Sequence, residues 1–191
     1  MKTDAPQLSL KDGSYLIRRA MEAAIAAALE GAASDNRDQG DRLVLDIGGR
    51  GKPYGGVVER LLAAGGQRLQ HVASDCGSGA ELRAAAEALP VRDARADLIL
   101  CTQVLEHVAD PQAAIIEMAR VLRSGGPCLL TTHGTWFYHP DPDDLWRWTS
   151  AGLRTVFIQA GFVDITVRPV GGTLLALIVL ALTALDHRAG D

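Results

Sequence analysis

The sequence predicts an α/β fold: a doubly wound, mostly parallel sheet forming a single domain with a helix ahead of it. Two observations carry this. From residue 43 onward, short apolar strands alternate with amphipathic helical stretches, the pattern of a parallel sheet covered on both faces. The first strand also runs directly into an acid and a glycine turn, "VLDIGGRGKPYGG" (Val44 to Gly56), as happens where such a sheet hands over to a helix at its ligand-binding edge. A length of 191 residues, 48% of them hydrophobic, suffices for one core but not comfortably for two.

The elements follow in order. "YLIRRAMEAAIAAALEG" (Tyr15 to Gly31) is alanine-rich with apolar residues at helical spacing and a glycine stop, so it reads as an N-terminal helix followed by the polar linker "AASDNRDQGD". Strands are expected at Leu43 to Ile47, Leu69 to Ser74, Leu98 to Cys101, Cys128 to Thr132 and Val163 to Val170. Helices are expected at about Gly55 to Ala64, Pro111 to Leu122 and Ser150 to Ala160. Gly125 and Gly126 turn the chain from a helix into a strand. The tail "TLLALIVLALTAL" (Thr173 to Leu185) is an apolar run too short to cross a bilayer, which needs roughly 20 apolar residues. A core or homo-oligomer-interface helix suits it better than a membrane anchor, because it lacks a basic face. The expected organisation is thus a tail and helix over 1–40, the sheet domain over 41–172, and an apolar C-terminal helix over 173–191.

Charge and cysteines narrow the setting. A formal net charge of -4 gives no basic surface for a phosphate backbone, so no nucleic-acid partner is expected. Cys76, Cys101 and Cys128 are odd in number and lack C-x-x-C spacing, which fits reduced cysteines in a cytoplasmic protein. The N-terminus has no secretory pattern. No H-x-x-x-H or comparable ligand spacing occurs, and no metal is expected.

The glycine turn fits neither common phosphate motif. A dinucleotide turn starting at Gly49 puts Tyr54 where a third small residue is needed, and a phosphate loop fails because Gly51 and Lys52 are followed by Pro53. Asp46 discriminates further. A carboxylate at the end of the first strand repels a pyrophosphate and attracts a cation. S-adenosylmethionine carries an ammonium and a sulfonium and no phosphate. Asp75, ending the second strand, suits the hydroxyls of a ribose in either kind of cofactor.

From Val44 to Val170 the chain resembles a class I S-adenosylmethionine-dependent methyltransferase. The blocks that carry the resemblance are "VLDIGG", "ASDCG", "AEALPVRDARADLILCTQVLEHVADPQAAIIEMARVLRSGG" and "HPDPDDLWRWTSAGLRTVFIQAGF". It implies a seven-stranded sheet with one reversed strand near the edge, and S-adenosylmethionine lying across the ends of the first, second and fourth strands. It also implies cofactor contacts from Asp46, Gly48 and Gly49 on the methionine side, Asp75 at the ribose, and Cys76, Ala86 and Glu87 near the adenine. Cys101, Thr102 and Gln103 would run under the methionine portion, ahead of Leu105, Glu106 and His107. Two residues depart from the pattern. Arg50 replaces a second glycine, where it either crowds the cofactor or pairs with a carboxylate. Ala85 stands in place of an adenine-binding aspartate, and the segment from Asp75 to Ala85 leaves little room for a helix.

Methyl transfer from a sulfonium needs a positioned nucleophile and a dry site, with a general base only for a poor nucleophile such as a hydroxyl. Candidates at the ends of the fourth and fifth strands are His107, His133 and His139, with Asp143 and Asp144 near the last. In "HPDPDDLWRWTS", two prolines stiffen a loop, an Asp144–Arg147 ion pair would dock it, and Thr149 or Ser150 can cap the next helix. The expected function is methyl transfer to a small-molecule acceptor, sugar- or lipid-linked acceptors included. The alternative is a non-catalytic binding or scaffold protein with a degenerate cofactor site, motivated by Arg50 and Ala85.

Overall fold

The computed structural model describes residues 19–27, 42–63, 69–140, 142–170, 172–174, 176–178, 180 and 181. The linker after the N-terminal helix and the far end of the apolar tail lie outside the described residues. The chain divides into two compact units, Ile25–Arg168 and Met1–Ala24 with Pro169–Asp191. In the second of these, the described residues are helical at 19–24, 172–174, 176–178, 180 and 181. No helix among the described residues is long and apolar enough to cross a membrane.

The larger unit is built on a five-stranded sheet of order β3-β2-β1-β4-β5. Its strands are β1 (Arg42–Ile47), β2 (Leu69–Asp75), β3 (Leu82–Arg83), β4 (Leu98–Thr102) and β5 (Cys128–Thr131). All four pairings are parallel, with Asp46 opposite Ala73 on one side and Leu100 on the other. The helices are α1 (residues 19–27), α2 (Gly55–Ala63), α3 (Pro111–Val121) and α4 (Ser150–Gln159).

Alternation along β1 sends its side chains to two separate cores. Leu43, Leu45 and Ile47 pack with Ile99, Cys101, Ile115 and Met118 on one face. Val44 joins Ile25, Val58, Leu98 and Leu100 on the other. A strand buried on both faces must be apolar throughout, which is why "RLVLDI" shows no polar alternation before Asp46. Each fully buried Leu or Ile contributes roughly 1.5–3 kcal/mol, so both layers are strongly held to this strand. α3 begins at Asp110, whose side chain accepts from the Ala113 N–H at 3.0 Å, with Pro111 in the first turn. α4 begins at Thr149, which accepts from the Gly152 N–H at 3.0 Å.

The sheet departs from the expected seven strands. Five are present among the described residues, and none of their pairings is antiparallel. The strand expected at Val163 to Val170 does not form. Asp164 sits in left-handed conformation (φ 53) and Pro169 has no N–H to donate. Val163 is 79% exposed. In the other direction, β3 is added by only two residues, and no helix intervenes between it and β2.

Candidate active site

The carboxyl ends of β1, β2, β4 and β5 share one edge, and the glycine turn leaves β1 there. Gly48 donates to the Ser74 carbonyl at 2.7 Å and Lys52 to the Gly49 carbonyl at 2.7 Å, so the turn is tied to β2 and closed on itself. Gly48 has a φ of +69, and a Cβ on it would stand 2.2 Å from Val104 Cγ2. Both its conformation and its space require glycine. A Cβ on Gly49 would lie 2.2 Å from Asp46 Cγ.

That contact shows where Asp46 points. Expected to face a ligand directly, it lies beneath the turn and is 1% exposed. Its Oδ2 is 3.1 Å from His71 Nε2, and its Oδ1 is sealed without a hydrogen-bond partner. His71, from β2, was not singled out in the sequence. It shares the α2 face of the sheet with Asp46, and its side chain is 4% exposed. A histidine in an apolar strand reads as filler unless its neighbour's carboxylate is known. Lys52, also left-handed (φ 47), donates to the His71 carbonyl at 2.5 Å and pairs with Glu81 at 2.6 Å.

At the end of β2, Asp75 Oδ1 accepts from the Gly77 N–H at 2.7 Å. Arg50 reaches toward the same place: a Cβ on Gly77 would be 2.5 Å from its Nη1 and 3.0 Å from Asp75 Oδ1. The arginine therefore lies on the Asp75 side of the crevice, exposed, and not over the Asp46 side of the turn. Cys76 is exposed beside it, its Sγ 3.6 Å from the Ala84 carbonyl.

Two of the expected cofactor residues direct their side chains into the fold: Ala86 is packed in the core and Cys101 is wholly buried there. Glu87, half-buried, accepts from the Asp110 N–H ahead of α3 at 3.4 Å. Only the backbone of Cys101 can face a ligand at this edge, because its side chain points to the helix layer behind the sheet. Burial pushes the Cys101 thiol well above its ordinary range and the Cys128 thiol up to about 12, so neither is a nucleophile. Thr102 is buried at the end of β4. Gln103 follows it in left-handed conformation (φ 57), donating from its backbone to the Thr131 carbonyl at 2.9 Å and from Nε2 to Thr131 Oγ1 at 3.1 Å.

The three histidines converge. His107 and His139 have ring centroids 5.2 Å apart, and His133 and His139 5.0 Å. His133 stacks on Trp136 at 4.9 Å with planes 5° apart. His107 Nδ1 donates to the Asp143 carbonyl. Glu106 lies under the cluster, wholly buried. Its Oε2 accepts from Thr132 Oγ1 at 2.8 Å, and its Oε1 is 3.1 Å from His133 Nδ1. Burial raises the Glu106 carboxyl, but the His133, backbone and Thr132 contacts outweigh it and hold the group below its usual value.

The loop over the cluster is fastened by the expected ion pair. Asp144 takes a fork from Arg147, Nη1 to Oδ1 at 2.5 Å and Nη2 to Oδ2 at 2.7 Å. Arg147 also donates to the carbonyls of Phe137 and Trp146 at 2.9 and 2.8 Å. Asp144 Oδ2 accepts from the His139 N–H at 2.9 Å. Trp146 Nε1 donates to the Val108 carbonyl at 2.8 Å.

A family model described as "Methyltransferase domain" matches residues 59–130. An uncharacterized methyltransferase from Mycobacterium sp. (strain JLS) is 37% identical over 122 residues, covering 57% of this chain and 45% of its own. A probable S-adenosylmethionine-dependent methyltransferase of Mycobacterium tuberculosis is 32% identical over 83 residues, 40% of this chain and 30% of its own. The matched stretches thus span less than half the length of these relatives. Among solved structures, a Haemonchus contortus phosphoethanolamine N-methyltransferase bound to phosphomonomethylethanolamine and S-adenosylhomocysteine superimposes with a TM-score of 0.60. The identity is 14%, covering 94% of this chain and 48% of that one, a likeness of fold.

Proposed function

We propose that the chain is a class I S-adenosylmethionine-dependent methyltransferase that moves a methyl group from S-adenosylmethionine to a small-molecule acceptor, a reading supported by its likeness to the methyltransferase domain family and to methyltransferase relatives. The observation that carries this reading is the pairing, on one sheet edge, of a glycine turn over a buried carboxylate with a histidine and aromatic cluster. The first suits the donor, the second the acceptor.

The donor-side residues fit the group. Gly48 and Gly49 have no room for side chains, so the backbone of the turn stays open to close approach, and Asp46 Oδ1 is left as an unbalanced negative end beneath it. Asp75, with one oxygen held by Gly77, keeps the other for a ribose hydroxyl. Arg50 beside it suits the cofactor's carboxylate better than its cationic centre. Bound S-adenosylmethionine supplies an electrophilic methyl group already activated by the sulfonium charge. The chain's task is to place the acceptor in line with it and keep water out. His107, His133 and His139 with Trp136 and Phe137 form the acceptor side, under a loop fixed by Arg147. Sugar- or lipid-linked acceptors fit a site that mixes imidazoles with half-buried aromatic rings. The free thiols Cys76, Cys101 and Cys128 suit a reducing, cytoplasmic setting.

Calorimetry with S-adenosylmethionine and S-adenosylhomocysteine tests the donor site. Asp75→Asn should weaken both by about 10–100-fold, the loss of a charged hydrogen bond worth about 1.5–3 kcal/mol. Absence of binding to the unaltered protein at millimolar ligand would leave the scaffold reading in its place. A screen for release of the demethylated product over sugar, lipid and aromatic acceptors then finds the acceptor class.

A further inference from the structure

We infer that Glu106, His133 and His139 form a binding site for a divalent transition-metal ion, with zinc the best match. One donor atom from each of the three lies within 4.8 Å of the others. Glu106 Oε1, His133 Nδ1 and His139 Nδ1 are all shielded from solvent, and their close polar contacts, Glu106 Oε1 to His133 Nδ1 at 3.1 Å and His139 Nδ1 to Asp144 Oδ2 at 3.4 Å, lack hydrogen-bond geometry. A buried polar atom whose hydrogen bond is left unmade costs about 1–3 kcal/mol. A cation in their midst removes that cost.

Charge points the same way. Glu106 is wholly buried, and its contacts are a threonine hydroxyl and an imidazole, with no lysine or arginine paired to it among the described residues. A buried carboxylate attracts a cation, and Arg147, whose charge feels Glu106, has its fork engaged on Asp144. Two nitrogens and one carboxylate oxygen are a borderline donor set, suited to zinc and its first-row neighbours and poorly suited to magnesium or calcium. In a tetrahedral shell with ligand distances of about 2.0–2.2 Å the donors stand about 3.3–3.6 Å apart, so the cluster needs to close by up to about 1.4 Å at its widest.

The surroundings hold the ligands in place. Thr132 Oγ1 occupies Glu106 Oε2 and leaves Oε1 for the ion. His133 is fixed against Trp136, and the backbone N–H of His139 is held by Asp144 Oδ2 at 2.9 Å, which anchors the loop that carries it. Sequence spacing could not reveal the site, because His133 and His139 follow β5 while Glu106 follows β4. Three protein ligands leave a coordination position open, and on the methyltransferase reading that position faces an oxygen of the acceptor. The acceptor role rests on that reading; the metal site does not.

The test uses the full chain, stripped with chelator and dialysed against Zn2+ or Co2+. The expected result is one tightly held equivalent of Zn2+, an intense visible absorption from bound Co2+, and no displacement by excess Mg2+. His139→Ala and Glu106→Gln should each weaken binding by about 100-fold or more, while Cys76→Ser leaves it unchanged. His139→Ala, on the loop, decides the matter if Glu106→Gln fails to fold. Failure of the unaltered chain to retain metal, or variants that bind it equally well, overturns the site. Calorimetry with S-adenosylmethionine on the stripped and loaded chain keeps the two readings apart: donor binding without metal binding refutes this inference alone.

Discussion

A methyl group added at Gly49 probes the turn that follows β1. In Gly49→Ala the new Cβ would stand 2.2 Å from Asp46 Cγ and 2.5 Å from each carboxylate oxygen. Unstrained carbon contacts lie at about 3.5 Å or more, so the two residues must separate by about 1.3 Å. Asp46 cannot simply swing away, since it is buried and its Oδ2 faces His71. Overpacking of this kind costs about 1–3 kcal/mol. Asp46→Ala alone should also destabilise, by about 1–3 kcal/mol, because it leaves the buried His71 imidazole without a partner. Together the two changes should not add. With the carboxylate gone the new methyl has space, and replacing glycine where φ is not positive stabilises by about 0.4–1 kcal/mol through the unfolded chain. Gly49→Ala should therefore change sign between the two backgrounds. Urea denaturation of the four proteins, followed by tryptophan fluorescence, reads this directly. An equal cost in both backgrounds would show that Asp46 does not lie beneath the turn.

Two further expectations concern the loop over the histidines. Arg147→Lys cannot reproduce a forked contact to Asp144 together with the Phe137 and Trp146 carbonyls, so it should destabilise by about 1–3 kcal/mol and expose the 136–148 segment to limited proteolysis. Unchanged proteolysis would remove the strap role. Arg147's hydrogen bonds hold the Asp144 carboxyl far below the ordinary carboxylate range. Its contribution to stability is accordingly present above about pH 4 and lost as pH falls below that. Melting points measured between about pH 6 and pH 2 should fall less steeply in Arg147→Lys than in the unaltered protein, and parallel curves would contradict the linkage.

Legibility in the sequence followed the range over which each feature is encoded. β1 and β4 were readable because strands buried on both faces are nearly uninterrupted apolar runs, and α3 because Asp110 and Pro111 mark its start within three residues. Val163 to Val170 shows that an alternating apolar pattern is not sufficient for a strand: the pattern is present, but the segment has a left-handed Asp164 and a proline and forms no strand. β3 was invisible for the opposite reason, since two residues carry no period. At the site, the glycine turn and the convergence of His107, His133 and His139 followed from topology. The inward turn of Asp46 onto His71 did not, because nothing local to either residue specifies the other. Ala86, Glu87 and Cys101 were placed by motif position, which fixes where a backbone runs and leaves open which way a side chain faces.

Glu106 is gripped at both ends. Its carbonyl oxygen receives the backbone N–H groups of Leu145 and Trp146 at 2.8 and 3.2 Å, while its carboxylate holds Thr132 and meets His133. One residue thereby joins the roof of the pocket to its wall. Displacing the backbone at 145 and 146 would therefore break hydrogen bonds to the same residue whose carboxylate holds Thr132 and meets His133.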